Sequence, residues 1–276
     1  MRNLKMHSCS PITEFLLDKI KQSNKIFLFL DFDGTLVPIA PKPELAKPNQ
    51  EILNLLGRLC ANPNLRVAIV SGRSLSELEM FLPVPGLILV GVHGAEVKVP
   101  TSHGLALRGS LLSSVTTVPD NENSEEAVLR RLVKIAKGLI EGKRGFLLED
   151  KGQAMALHYR LAKPKEAQEL LNKFLVICHD LIDTHNLEII HGKKVVEIRA
   201  KGINKKLAVE ALWPSWPDSL AIYIGDDTTD EDGFSAVLQK GIGILIAHEE
   251  RTTAAHFRLD APKDAIEFLK DLEEIT

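Results

Sequence analysis

The sequence predicts an α/β protein: a parallel-sheet, Rossmann-like core interrupted by an inserted α+β domain. Three observations predict it. Short apolar runs at Lys25–Leu30, Leu65–Val70, Leu87–Val90 and Leu220–Ile224 have the length and branching of strands buried on both faces. Helical periodicities separate successive strands, as parallel pairing requires. Beyond Ser110 the rhythm changes to helix and hairpin, twice over, before strand–helix alternation resumes near Asn204.

Taken in order, Lys25-Ile26-Phe27-Leu28-Phe29-Leu30 is the first strand and runs into Asp31-Phe32-Asp33-Gly34-Thr35. After a Pro-rich loop, Pro48 opens a helix with Ile52, Leu55, Leu56 and Leu59 at helical spacing. Leu65–Val70 is the second strand and delivers Ser71-Gly72-Arg73. A short helix over Ser74–Phe81 leads to the third strand, Leu87–Val90, which ends near His93-Gly94. The polar stretch Ser110–Asn123 reads as a boundary loop. Ser124–Ile140 is helical, with Val128, Leu132, Ile135 and Leu139 on one stripe. Strands Phe146–Lys151 and Gln153–Arg160 meet around Gly152 as a hairpin. A helix over Lys165–Asp183 precedes a second strand pair, Leu187–His191 and Lys194–Arg199. A helix over Asn204–Leu212 comes next, then a turn at Trp213–Pro217 and the strand ending in Gly225-Asp226-Asp227. A helix over Asp230–Gln239, a strand over Ile242–Ala247 and a helix from Pro262 finish the pattern. The expected boundaries are 24–115 and 201–276 for the two parts of the core, and 116–200 for the insertion.

Composition excludes some classes of function. Hydrophobic residues make up 45% and charged residues 26%, enough apolar material for a substantial core. A net charge of −3 offers no electrostatic footing for nucleic acid or a membrane surface. Cys9, Cys60 and Cys178 are far apart and odd in number, which suits reduced thiols in a cytoplasmic protein better than zinc or a redox pair. Glu14, Asp18 and Lys19 break the apolar run around Phe15, so no signal-peptide core is expected. No apolar stretch approaches the roughly 20 residues that span a bilayer.

Ligands of open α/β sheets bind beyond the carboxyl ends of the strands. Asp31 with Asp33, Ser71, His93-Gly94, and Asp226 with Asp227 all fall at such ends. Either acidic motif alone reads equally well as a turn. Both together at the top of one sheet repel unless a cation lies between them, and oxygen donors of this kind suit Mg²⁺. A carboxylate beside a divalent ion can attack phosphorus, forming an aspartyl-phosphate that water then cleaves. A second carboxylate two residues on can protonate the leaving oxygen and later activate the water. Asp31 and Asp33 have that spacing.

These residues resemble the haloacid dehalogenase-like (HAD) phosphatases. Asp31-Phe32-Asp33-Gly34-Thr35-Leu36 resembles their first motif, Ser71 at the end of Ile69-Val70-Ser71-Gly72-Arg73 the second, and Gly225-Asp226-Asp227-Thr228-Thr229-Asp230 the fourth. The resemblance implies a HAD-like core with an inserted cap. It also implies Asp31 as nucleophile and Asp33 as general acid/base. Mg²⁺ would be held by Asp31, the Asp33 carbonyl and Asp226, with Asp227 and Asp230 holding metal-bound waters or a lysine. Lys201, Lys205 and Lys206 all lie near the place of the third motif. The pattern fits Lys205, although Lys206 stands where the family usually has glycine. Arg73 and His93 either line the cleft or stabilise its loops, and Thr35 orders the loop after Asp31.

In the inserted domain, strand alternation puts Glu149 with Lys151, His158 with Arg160, and Glu197 with Arg199 on charged faces. Tyr159, Leu157, Val196 and Ile198 face the other way. Any solvated two-layer domain shows this pattern, and so does a surface that binds sugar hydroxyls. The wording Leu148-Glu149-Asp150-Lys151-Gly152, Leu157-His158-Tyr159-Arg160, Val195-Val196-Glu197-Ile198-Arg199 and Thr228-Thr229-Asp230-Glu231-Asp232 resembles the trehalose-6-phosphate phosphatases. That resemblance implies a sugar phosphate as substrate and a separate trehalose-6-phosphate synthase as partner. Glu149, Lys151 and Glu197 would bind glucose hydroxyls, supported by His158 and Arg160. Two other readings stay open: another glycosyl phosphate, such as mannosyl- or glucosyl-3-phosphoglycerate, and a catalytically silent sugar-phosphate sensor.

Overall fold

The computed structural model describes residues 16, 18–103, 107–110 and 124–276. The boundary loop expected over Ser110–Asn123 lies outside them beyond Ser110, as do Cys9 and most of the N-terminal apolar run. The described residues form two compact units, one holding those up to 110 together with 204–276, the other those from 124 to 203.

The first unit is an eight-stranded sheet with strands β1 Ile26–Leu30, β2 Leu65–Val70, β3 Ile88–Gly91, β4 Glu96–Val99, β5 Leu107–Ser110, β10 Leu220–Gly225, β11 Ile242–Ile246 and β12 Phe257–Leu259. Their spatial order is β12-β11-β10-β1-β2-β3-β4-β5. The pairs from β12 to β3 are parallel, whereas β4 and β5 add an antiparallel edge. Strands β4, β5 and the short β12 are not visible as apolar runs, and β4 with β5 makes the expected parallel sheet mixed at one edge. Helices α1 Gln50–Ala61, α2 Leu75–Phe81 and α7 Pro262–Ile275 share one apolar core with Ile26, Leu28 and Leu30. Helices α5 Lys205–Leu212 and α6 Asp230–Val237 share the opposite core with Phe27, Phe29 and Tyr223. The two-residue alternation of β1 thus feeds both layers, which is why its run is apolar without a break.

Local chemistry sets the helix starts. Pro48 precedes α1 rather than opening it, because the Asn49 side chain caps the helix by accepting from Ile52 N at 3.0 Å. Asn204 caps α5 in the same way and places Lys205 at its first position. The chain from 213 to 217 is a connecting turn, with Trp216 set edge-on against Phe27.

The second unit is a four-stranded antiparallel sheet of β6 Leu147–Asp150, β7 Ala154–His158, β8 Leu187–Gly192 and β9 Val195–Ala200, in the order β6-β7-β9-β8. Helices α3 Glu125–Ile140 and α4 Pro164–Thr184 contribute Val128, Leu132, Leu170 and Phe174 to the buried set that includes Met155, Leu157, Val196 and Ile198. Strand β7 stops at His158, two residues short of the expected end, so Arg160 sits on the turn that follows. Cys60 and Cys178 are free thiols, and burial pushes them up to about 12 and about 11. Among the described residues no helix is long and apolar enough to cross a membrane.

Candidate active site

Parallel packing brings the ends of β1, β2, β3 and β10 to one edge of the core sheet. Asp31 continues β1 and donates its N–H to the Ile224 carbonyl on β10, at 2.9 Å. The two acidic motifs are therefore fixed side by side by backbone. Between them the chain turns sharply at Gly34, whose φ is +90°. A β-carbon there would overlap the Asp226 carboxylate, so glycine both makes the turn and admits the acid.

Asp31, Asp226 and Asp230 are buried, and one carboxylate oxygen from each lies within 4.8 Å of the others. Lys205 Nζ enters this cluster from the start of α5, 2.6 Å from Asp31 Oδ1 and 2.7 Å from Asp230 Oδ1. A lysine at a helix N-terminus is disfavoured by the helix dipole, and the two carboxylates outweigh that. Burial alone works to depress the Lys205 ammonium, but Asp230 and Asp31 hold it well above its ordinary value. Of the other candidate lysines, Lys206 is half-buried and faces Glu210 at 3.6 Å, and Lys201 is exposed.

Asp230 is occupied on every side. Oδ1 accepts from Lys205 and from the Tyr223 hydroxyl at 2.8 Å, and Oδ2 accepts from the N–H groups of Asp226 and Asp227 at 3.0 and 2.9 Å. Four donors fill a carboxylate's acceptor sites, so Asp230 holds the lysine and the loop rather than an ion. Asp227 turns its own carboxylate onto Thr228 N at 2.8 Å. Asp31 is pushed well above the usual carboxylate range by burial; Lys205 opposes this, while Asp230 and Asp226 add to it. Among the described residues three buried carboxylates gather around the Lys205 ammonium, and an oxygen-lined acidic site of this kind fits a divalent cation.

Asp33 is held apart from this cluster. Arg73 Nε and Nη2 pair with Asp33 Oδ2 and Oδ1, both at 2.7 Å, and Nη2 also reaches the Pro43 carbonyl. The guanidinium lies 5.3 and 5.1 Å from the ring centres of Phe32 and Phe81. Arg73 thus addresses the second aspartate and its loop. Ser71 is buried at the end of β2, and its hydroxyl accepts from Arg73 N at 3.2 Å. His93 N bonds the Ser71 carbonyl at 2.9 Å, with Val92 and His93 both in the left-handed region at φ 46° and 56°. A β-branched residue in that region stores strain, which marks the loop as over-determined by its surroundings. Thr35 Oγ1 finds no hydrogen-bond partner among the described residues, so any ordering by Thr35 comes from packing.

In the second unit the register sets Glu149 opposite Ala156 and Ala156 opposite Glu197. The small alanine leaves room between two glutamates. Lys151 fills it, with Nζ 3.0 Å from Glu197 Oε2 and 3.7 Å from Glu149 Oε2. His158 Nε2 is 3.1 Å from Glu149 Oε2. Arg160 is not part of this group and donates to the Lys193 carbonyl at 2.8 Å. Arg199 pairs with Glu188 at 2.9 Å.

Sequence reading missed Tyr223 and Arg251. Tyr223 is the one hydroxyl in an otherwise aliphatic buried strand, which was the available signal. Arg251 follows β11, donates to the Asp227 carbonyl at 3.0 Å and pairs with Glu231 at 3.4 Å, bracing the acidic loop. Nothing local marks it.

The family model described as trehalose-phosphatase matches residues 29–263. A probable trehalose-phosphate phosphatase D of Arabidopsis thaliana is 31% identical over 94% of this chain and 71% of its own length. A protein of Mycobacterium tuberculosis described as an uncharacterized glycosyl hydrolase is 34% identical over 93% of this chain, which spans only 19% of that relative. The C-terminal domain of a C. albicans trehalose-6-phosphate phosphatase has the same fold, with a TM-score of 0.81 at 23% identity over 99% of this chain and 100% of that one.

Proposed function

The chain belongs to the trehalose-phosphatase family, and from that premise we propose that it hydrolyses trehalose 6-phosphate to trehalose and phosphate through a phosphorylated Asp31. The observation that carries the reading is the setting of Asp31: buried beside Asp226, with Lys205 at 2.6 Å and a second aspartate two residues on. Asp31, the Asp33 carbonyl and Asp226 would hold Mg²⁺, which when bound offsets the charge of carboxylate and phosphate so that two anions can approach.

In the first step an Asp31 oxygen bonds to phosphorus and the bond from phosphorus to the sugar oxygen breaks, Asp33 giving that oxygen a proton. In the second, Asp33 takes a proton from water, which bonds to phosphorus and displaces Asp31. Lys205 fixes the rotamer of Asp31 and balances charge on the transferred group, and the Ser71 hydroxyl donates to a phosphate oxygen. Arg73 holds Asp33 until it is needed. Gly34 keeps Asp226 beside the nucleophile.

The inserted unit is the sugar-reading cap in this account. Glutamates accept from hydroxyls and the lysine donates to them, so the Glu149–Lys151–Glu197 row suits adjacent hydroxyls on a glucose ring. Glu197→Ala is expected to raise KM for trehalose 6-phosphate at least about tenfold, the scale of a lost charged hydrogen bond that also frees Lys151. Unchanged KM and kcat in that variant would remove the cap residues from sugar recognition. The reaction itself is tested by phosphate release from a panel of sugar phosphates with Mg²⁺ and with EDTA. Trehalose 6-phosphate is expected to be preferred and EDTA to stop release. Preference for another glycosyl phosphate overturns the substrate, and release that persists in EDTA overturns the metal. A separate synthase that makes the phosphorylated disaccharide is the partner reaction this cytoplasmic enzyme calls for.

A further inference from the structure

We propose that Tyr223 is a positioning residue for the nucleophile: its hydroxyl fixes the Asp230 carboxylate and thereby sets Lys205 against Asp31. The inference deepens the reading above, since it takes from it the role of Asp31.

Three observations carry it. First, Asp230 Oδ1 is shared by two donors, Tyr223 Oη at 2.8 Å and Lys205 Nζ at 2.7 Å. With the phenol on one side of that oxygen, the ammonium is confined to the other, and there it also meets Asp31 at 2.6 Å. Second, Asp230 is fully buried, so a donor removed from it is not replaced by bulk water. The carboxylate would then turn to satisfy its open position, taking the ammonium with it. Third, the ring itself has no freedom. It stands edge-on to Phe234 at 5.5 Å and 90°, and a β-carbon at Gly233 would overlap it. Helix α6 therefore lies directly on the phenol, and the same helix carries Asp230. The strand that ends in the acidic loop and the helix that follows it are joined through this one hydroxyl, beside the two backbone bonds to Asp230 Oδ2.

Because the ring is packed on its own account, Tyr223→Phe removes one oxygen and leaves the packing. The variant is expected to fold, to lose ~10- to 100-fold in kcat on trehalose 6-phosphate, the scale of a misplaced catalytic group, and to keep KM within about twofold. Assays run well below the variant's own melting temperature separate this from lost stability. A crystal structure of the variant is expected to show Lys205 Nζ withdrawn from Asp31. Wild-type-like kcat, a change carried by KM, or an intact Lys205–Asp31 pair in that structure would each overturn the proposal. The structural readout needs no substrate. If wild type itself fails to turn over trehalose 6-phosphate, the functional reading falls while the position of Lys205 still decides this one.

Discussion

Asp31→Asn is expected to reduce phosphate release from trehalose 6-phosphate by on the order of 10⁴-fold or more, the usual consequence of deleting a covalent nucleophile. The same substitution is expected to leave the fold at least as stable when no metal is present. Asp31 is buried, crowded by Asp226 and Asp230, and held well above the usual carboxylate range despite Lys205. An amide of the same shape removes that repulsion while Lys205 keeps Asp230. Thermal unfolding in EDTA checks this: the variant should melt at or above the wild-type temperature. A large fall in melting temperature would show that the Asp31 charge stabilises the core, contrary to the geometry described.

Lys205→Met is expected to lose activity on a similar scale but to move stability the other way. The lysine pairs with both Asp31 and Asp230 in a cluster that also holds Asp226, and all four side chains are buried. Removing it strands carboxylates that cannot be solvated, which costs about 3–5 kcal/mol when a buried pair is broken from one side. Chemical denaturation in EDTA should show a destabilisation of that order. A melting temperature equal to wild type would mean that the acidic cluster needs no internal cation. The opposite signs expected for Asp31→Asn and Lys205→Met are a sharper check than either alone, since each neutralises one side of the same 2.6 Å contact.

The parts of this fold that could be read in the sequence are those where burial is two-sided. Strands β1, β2, β10 and β11 show near-continuous apolar runs because helices cover both faces. Strand β4 alternates Glu, Val, Lys, Val with its valines buried, and β12 is three residues long with an arginine in the middle. Such strands at or next to a sheet edge exist because a neighbour offers hydrogen bonds, so their own composition says little. The Asp31, Asp33, Asp226 and Asp227 motifs were legible for a geometric reason: strand polarity in a parallel sheet delivers residues after each strand to one edge. Partnerships across the chain were not. Arg73 with Asp33, 40 residues apart, and Arg251 with the Asp227 carbonyl depend on how loops meet. In the second unit, alternation paired Glu149 with Lys151 and Glu197 with Arg199, but joining Glu197 to the first pair took the cross-strand register. Alternation could not foresee that β7 would end before Arg160 or that Ala156 would separate the two glutamates.

Asp31 is expected to carry the phosphoryl group during turnover. Trehalose 6-phosphate labelled with ³²P, mixed with the protein and Mg²⁺ and quenched in acid within the first turnover, measures that directly. Label is expected on the peptide containing Asp31, released by hydroxylamine as an acyl phosphate would be, and missing from Asp31→Asn. Turnover that proceeds with no protein-bound label, or label on a peptide other than the one holding Asp31, would contradict it.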